Sequence, residues 1–104
     1  MNFERHRATR RAFVALIDLT DIQSERRVAA LTKDLSLFGC SVETVNPFST
    51  GTEVRLRIWH AGVNFYAEGK VAYSQPNSGM GIAFTAVESS NLPILDTWLA
   101  HSRK

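Results

Sequence analysis

Short segments of alternating apolar and polar residues run through most of this chain, and they restrict the folds that it can adopt. The clearest segment is 53–59, in which Val54, Leu56 and Ile58 alternate with charged residues and with Trp59. A period of two places one set of side chains on a buried face and the other set in solvent, as in a half-buried β-strand. A chain of 104 residues is long enough for one compact domain and too short for two.

Five more segments fit strands, at 12–19, 26–33, 40–45, 63–74 and 80–85. Polar and turn-forming residues separate them. Within the long fifth strand, Gly69 predicts a bulge or bend. After the sixth strand the period changes, because Leu92, Leu95, Trp98 and Leu99 fall on one face of a helix. We interpret this stripe as core packing.

The pattern predicts an all-β domain, a six-stranded antiparallel β-barrel over residues 12–86 with a C-terminal α-helix over residues 90–102. Closing the sheet into a barrel removes the exposed edges that so small a sheet would otherwise present.

Composition narrows the function. A single cysteine, Cys40, excludes an intramolecular disulfide and a cysteine-rich zinc site, and it favours the cytoplasm. No apolar stretch is long enough to span a bilayer, and no secretory signal is recognisable, so we expect no membrane insertion. His6, His60 and His101 lack metal-ligand spacing, and no nucleophile motif or carboxylate pair stands out. We therefore expect a protein that is not an enzyme and needs no cofactor.

The N-terminus carries a concentrated positive charge, although the net charge of the whole chain is only +2. The segment from Glu4 to Arg11 contains four arginines, Arg5, Arg7, Arg10 and Arg11. Arginine binds phosphate through two parallel donors and stacks on nucleobases, whereas lysine acts as a point charge. A solvated basic tail is the ordinary alternative for such a run.

Residues 34–39 predict a tight turn with a carboxylate, a hydroxyl and a glycine: Asp34, Ser36 and Gly39. In a structural interpretation, Asp34 and Ser36 bond to nearby backbone N–H groups and Gly39 takes a conformation that other residues avoid. In a functional interpretation, Asp34 accepts hydrogen bonds from a base edge such as that of guanine, and Gly39 allows a ligand to approach the backbone. The two interpretations are compatible.

Together these segments resemble the signature of the PilZ domain family, bacterial receptors for cyclic di-GMP. That family carries R-x-x-x-R near its N-terminus and [D/N]-x-S-x-x-G about two strands later. Here 7–11 matches the first pattern literally and 34–39 matches the second in full. Family members often begin Glu-Arg-Arg-Arg, and in that register the first pattern falls on His6 and Arg10. The stretch 79–84 also resembles the glycine-rich final strand of the family.

The resemblance implies a six-stranded barrel with a terminal helix and a flexible, arginine-rich segment over residues 1–11 that closes over bound cyclic di-GMP. Arg5, Arg7, Arg10 and Arg11 would bind phosphates and stack on guanines. Asp34 and Ser36 would contact guanine edges, and Gly39 would end the turn beside the ligand. It also implies a downstream protein partner that carries the signal.

Two alternatives remain at this point. The first is a PilZ-like adaptor that works by protein contacts without cyclic di-GMP. The second is a barrel that binds single-stranded nucleic acid on aromatic platforms drawn from Trp59, Phe65, Tyr66 and Tyr73. We expect no nucleic-acid polymer as partner, because the charge beyond the N-terminal segment is mixed.

Overall fold

The computed structural model describes residues 10–101, with side chains described up to residue 100. The elements in chain order are β1 (Arg11–Ala12), β2 (Leu16–Asp21), β3 (Arg27–Ser36), β4 (Gly39–Glu43), β5 (Glu53–His60), β6 (Val63–Gln75), β7 (Gly79–Ala86), a short 3-10 helix (Ser89–Asn91) and α1 (Leu92–His101).

Six of these strands close into an antiparallel barrel. Their order around the barrel is β3-β2-β5-β6-β7-β4, and β4 pairs again with β3 to complete the ring. The predicted six-stranded barrel with one C-terminal helix is therefore confirmed. The predicted helix over 90–102 consists of the 3-10 turn and α1, and its last predicted residue lies outside the described part of the chain.

The seventh strand, β1, results from an interruption in the first predicted strand. The segment 12–19 leaves the sheet at residues 13–15, so that β1 and β2 both pair with β3 but at different places along it. Thr32 fills this interruption. Its buried hydroxyl accepts a hydrogen bond from the N–H of Ala15 (2.9 Å) and donates one to the carbonyl of Phe13. The backbone groups at the break are thus paired, as buried amides require.

The predicted turn at 34–39 needs correction. Asp34 to Ser36 continue β3, Gly39 begins β4, and the turn itself consists of Leu37 and Phe38. The long strand β3 stays paired through Ser36, opposite Gly39, so the carboxylate and hydroxyl of the motif stand on a strand and not in a loop. By contrast, the predicted irregularity at Gly69 is confirmed, because the β6–β7 register shifts between Glu68 and Gly69.

The core lies inside the barrel and under α1. Alternate residues of the strands point inward, as the period of two predicted, and Phe65, Leu35 and Ile58 are fully buried. Trp98 of α1 packs over one end of the barrel, with its ring centroid 5.2 Å from that of Phe13 and 6.0 Å from that of Phe65. This packing confirms the core interpretation of the helix stripe for Leu95, Trp98 and Leu99, whereas Leu92 is 43% exposed and does not belong to the core. It also removes Phe65 from the candidate base-stacking platforms.

No helix in the described part of the chain has the length and apolar character needed to cross a membrane.

Candidate functional site

The register of four neighbouring strands places residues from distant parts of the chain in one row. Asp34 of β3 pairs with Ser41 of β4, Ser41 pairs with Gly81 of β7, and Gly81 pairs with Tyr73 of β6. Directly paired residues share one face of a sheet. The side chains of Asp34 and Tyr73 are 28% and 48% exposed, so this row lies on the outer face of the barrel.

A second row runs beside the first and completes a groove. Ser36 pairs with Gly39, and Gly39 pairs with Ala83. Between the two rows lies a groove of about 160 Å³ lined by Arg10, Ser36, Phe38, Gly39, Ala72, Tyr73, Gly81, Ile82 and Ala83. Seven of these belong to the segments 1–11, 34–39 and 79–84 that were singled out in the sequence: Arg10, Ser36, Phe38, Gly39, Gly81, Ile82 and Ala83.

Glycines form the floor of this groove because no side chain fits there. A Cβ added at Gly39 would lie 2.0 Å from the carbonyl oxygen of Ile82, and one added at Gly81 would lie 2.1 Å from Cε2 of Tyr73. The backbone of Gly39 is not left-handed, whereas Gly51 and Gly62 have positive φ. The prediction that Gly39 takes a conformation that other residues avoid is therefore wrong. Its glycine serves the close packing of β4 on β7.

An ion pair stands at one edge of the groove. Nη1 of Arg10 lies 2.5 Å from Oδ1 of Asp34, and the two side chains are 50% and 28% exposed. Exposed pairs of this kind contribute ~1 kcal/mol or less, so a ligand can separate them at small cost. Arg11 lies in β1 opposite Leu35 and has an intermediate exposure.

The structure thus brings Arg10 and not Arg11 to the aspartate of the second motif. Among the two registers left open by the sequence, the one that ends at Arg10 places its second residue at the groove. Arg5 and Arg7, the two remaining candidate ligands, lie outside the described residues, as does His6.

Ser36 holds the hairpin between β3 and β4. Its buried hydroxyl accepts a hydrogen bond from the N–H of Phe38 (3.1 Å) and lies 3.4 Å from the carbonyl oxygen of Gly39, to which it donates. The structural interpretation of a side-chain-to-backbone turn is therefore right for Ser36. A ligand that used this hydroxyl would have to compete with two backbone groups.

Cys40 is fully buried in the barrel interior beside this site. Burial, together with the negative charge of Asp34, raises the pKa of its thiol to about 12. The reactive form of cysteine is the thiolate, which is scarce at neutral pH under these conditions. Within residues 10–101, no group of His, Cys, Asp and Glu side chains is arranged to hold a metal ion.

Two residues of the outer row were not assigned to the site by their sequence pattern. Tyr73 drew attention only as a candidate nucleic-acid platform. The alternation of β4 gives no sign that Ser41 would stand beside Asp34, because the register that joins them depends on the irregularity between Thr32 and Asp34.

These features define a class of module: a small antiparallel barrel with a helix over one end and a groove on its outer wall that is edged by an ion pair. The sequence matches the PilZ domain family over residues 4–101, and the chain belongs to that family. PilZ domains are generally non-catalytic binding or adaptor modules, and the family includes receptors for cyclic di-GMP.

Solved structures share this fold. The inhibitor of motility MotI/DgrA of Bacillus subtilis superposes with a TM-score of 0.74 at 16% identity, over 97% of this chain and 52% of that one. The chain thus spans about half the length of MotI/DgrA. The PilZ domain of CeSA from a cellulose-synthesizing bacterium superposes with a TM-score of 0.72 at 18% identity, over 90% of this chain and 98% of that one. A comparison with curated protein sequences found no significant match.

Proposed function

We propose that this domain is a non-enzymatic receptor for cyclic di-GMP in bacterial second-messenger signalling, that it acts in the cytoplasm, and that it passes the signal to a protein partner. The observation that carries the proposal is the Arg10–Asp34 pair at the edge of the glycine-floored groove. Asp34 opens the second family motif, and Arg10 ends the first motif in the register that begins at His6. The two residues meet although they lie 24 positions apart in the chain.

The chemistry of the pair suits a ligand with phosphates and guanine bases. The guanidinium of Arg10 binds a phosphate oxygen or stacks on a base, and the carboxylate of Asp34 accepts hydrogen bonds from the N–H groups of a guanine edge. In the free protein each group neutralises the other. Binding exchanges this exposed ion pair for two charge-assisted contacts with the ligand, which are stronger than neutral hydrogen bonds.

The arginine segment is needed to complete the site. The groove of about 160 Å³ is smaller than the roughly 300–1,000 Å³ of ordinary small-molecule sites. β1 anchors Arg11 to β3 directly beside the groove, so the residues that precede Arg10 begin at its rim. In our proposal Arg5 and Arg7 close over the bound ligand and supply the missing wall, and this closure is the change that a partner detects.

Calorimetric titration with cyclic di-GMP tests the proposal. Separate titrations with cyclic di-AMP and GTP serve as controls for specificity. We expect selective, saturable binding that Arg10→Ala and Asp34→Ala each weaken at least about tenfold, in line with the roughly 1.5–3 kcal/mol typical of hydrogen bonds to charged groups. The matched control is Arg57→Ala. Arg57 pairs with Asp18 at 2.7 Å on another part of the barrel wall, and the exposures of those side chains, 46% and 31%, are similar.

A folded protein that gives no heat with cyclic di-GMP at micromolar concentrations would refute the receptor proposal. Equal losses in Arg57→Ala and Arg10→Ala would show that the groove is not the site.

The adaptor alternative is favoured by one feature of the barrel wall. Leu16 of β2 pairs with Leu31 of β3 on one side and with Trp59 of β5 on the other, and all three side chains are exposed. A row of adjacent apolar side chains on the surface is more typical of protein-binding domains than scattered ones are. Function in cells that survives exchange of Arg7, Arg10 and Arg11 for Ala would favour this alternative.

A further inference from the structure

Three large apolar side chains stand side by side on the barrel wall, away from the glycine-floored groove. Leu31, Leu16 and Trp59, on β3, β2 and β5, form this apolar row, and their side chains are 42%, 52% and 45% exposed. Around the ring of six strands, β2 stands three places from β7 and β5 stands three places from β4. The apolar row is therefore opposite the groove, and a partner bound to it would leave the groove open.

The next row on the same wall is charged and lies beside a hollow. Ala29, Asp18 and Arg57 form this charged row across the same three strands. Because the alanine side chain is short, the wall is concave here, and a cavity of about 260 Å³ is lined by residues of both rows. That volume is below the roughly 300–1,000 Å³ of ordinary small-molecule sites, so the hollow suits a single protein side chain better than a ligand.

We propose that the two rows form a dimer interface between two copies of this chain, related by a two-fold axis. In such an interface the same patch faces itself, so it must be complementary to itself in shape and in charge. The exposed indole of Trp59 and the hollow beside it meet the first requirement. Asp18 and Arg57, adjacent in one row and of opposite charge, meet the second. The charges of this pair cancel, which favours a second copy over an anionic membrane.

The positions of these residues allow one rotation to satisfy both requirements. Trp59 and Ala29 stand diagonally on either side of β2, one in each row. A two-fold axis in the plane of the interface, midway between them, places Trp59 of each copy over Ala29 of the other. The same rotation brings Asp18 of each copy beside Arg57 of the other.

Both charged groups have the capacity for this second contact. Within one chain the pair uses Nη2 of Arg57 and Oδ2 of Asp18. A guanidinium carries five N–H donors and a carboxylate has two acceptor oxygens, so each group can also bond to the opposite charge of a second copy. Tryptophan and arginine are enriched at the centres of protein interfaces, where they contribute most of the affinity.

Sedimentation equilibrium without nucleotide, from micromolar to millimolar protein, measures the association. We expect the wild type to approach twice the 11.6 kDa mass of the chain. In Trp59→Glu and Leu16→Glu the dissociation constant should rise about 30-fold or more, as expected for the loss of a central anchor. The matched control is Val45→Glu, at a side chain that is 63% exposed and follows β4, outside both rows. Thermal unfolding checks that each variant is folded.

A charge exchange tests the crossed pairing itself. Asp18→Arg leaves two positive groups in the patch and Arg57→Asp leaves two negative groups, so each variant alone should be monomeric because its copies repel each other. An equal mixture of the two variants should form a heterodimer, because every positive group then faces a negative group of the other chain. An ion pair that acts only within one chain cannot produce this rescue.

A wild type that stays monomeric at millimolar concentration would overturn the proposal, even if the apolar row then bound another protein or lipid vesicles. A wild-type dimer that persists in Trp59→Glu and Leu16→Glu would place the interface elsewhere and would also overturn it. A mixture of the two exchanged variants that stays monomeric would refute the crossed pairing. If an exchanged variant fails to fold, the comparison of Trp59→Glu with Val45→Glu decides.

Discussion

Replacement of Gly39 by Ala should destabilise the barrel, whether or not a ligand is present. The added Cβ would lie 2.0 Å from the carbonyl oxygen of Ile82, and real Cβ contacts do not come closer than 3.0 Å. The neighbouring atoms are backbone of β7 and not the end of a flexible side chain. The two strands must therefore separate by about 1 Å at this position.

The magnitude follows from the hydrogen bonds beside the clash. The N–H of Phe84 donates to the carbonyl of Phe38 at 2.8 Å, and a 1 Å separation stretches this bond far beyond the normal range. Loss of two such bonds costs ~1–3 kcal/mol, and overpacking adds ~1–3 kcal/mol. A total loss of about 2–6 kcal/mol is a large part of the roughly 5–15 kcal/mol that stabilise a domain.

Thermal and urea unfolding, followed by circular dichroism, measure this loss. We expect the melting temperature of Gly39→Ala to fall by about 10 °C or more. Gly51→Ala is the control, because no atom lies within 4 Å of its added Cβ and only the strain of a positive φ of 93° remains, ~1–2 kcal/mol. A melting temperature of Gly39→Ala within about 2 °C of the wild type would refute the argument. Weak ligand binding by this variant would then require an explanation other than damage to the barrel.

Two further predictions concern the interior. Thr32→Val keeps the shape of the side chain but leaves the N–H of Ala15 and the carbonyl of Phe13 without their hydroxyl partner. We therefore expect urea unfolding to show a free energy of unfolding that is lower by about 2–4 kcal/mol. A change below about 0.5 kcal/mol would contradict the bridging role of Thr32. Burial of Cys40 raises its pKa from 9.0 to about 12, so the folded state holds the thiol proton more tightly than the unfolded state. The resulting contribution to stability is complete below pH 9 and is lost as the pH rises toward 12. Stability of the wild type should accordingly decrease more steeply over this range than that of Cys40→Ala, and parallel curves for the two proteins would contradict the assignment.

The barrel architecture could be predicted from the sequence because the alternation of apolar and polar residues in strands such as 53–59 shows directly which face of the strand is buried. It was less informative at 34–39, where Asp, Ser and Gly are typical of turns but the pairing with β4 keeps Asp34 and Ser36 in the ladder. Local turn preferences were overridden there by long-range strand pairing. The same reason explains the conformation wrongly predicted for Gly39, whose constraint comes from a strand more than 40 residues away.

Some residues of the candidate site could also be predicted from the sequence, and others could not. Arg10, Asp34, Ser36 and Gly39 could be named from the resemblance to the family signature. In the structure Arg10, Ser36 and Gly39 line one groove, and Asp34 forms an ion pair with Arg10. The choice between Arg10 and Arg11 could not be made, because it depends on how β1 pairs with β3. Ser41 could not be found at all, since a serine on an alternating strand carries no local sign of its neighbours across the sheet.

The pairing of β4 with β7, which helps to close the barrel, also determines whether the groove is formed. β4 and β7 join Gly39 to Ala83, and β2 and β5 join Leu16 to Trp59, so the topology is dominated by contacts between residues far apart in the chain. Folding of such topologies is slow, in milliseconds to seconds, because loop entropy is lost before the contacts form. The floor and the walls of the groove come from β3, β4, β6 and β7, so the groove exists only in molecules in which β4 is paired with both β3 and β7. A nucleotide that binds there binds only fully closed molecules and, by mass action, shifts the equilibrium toward the closed barrel.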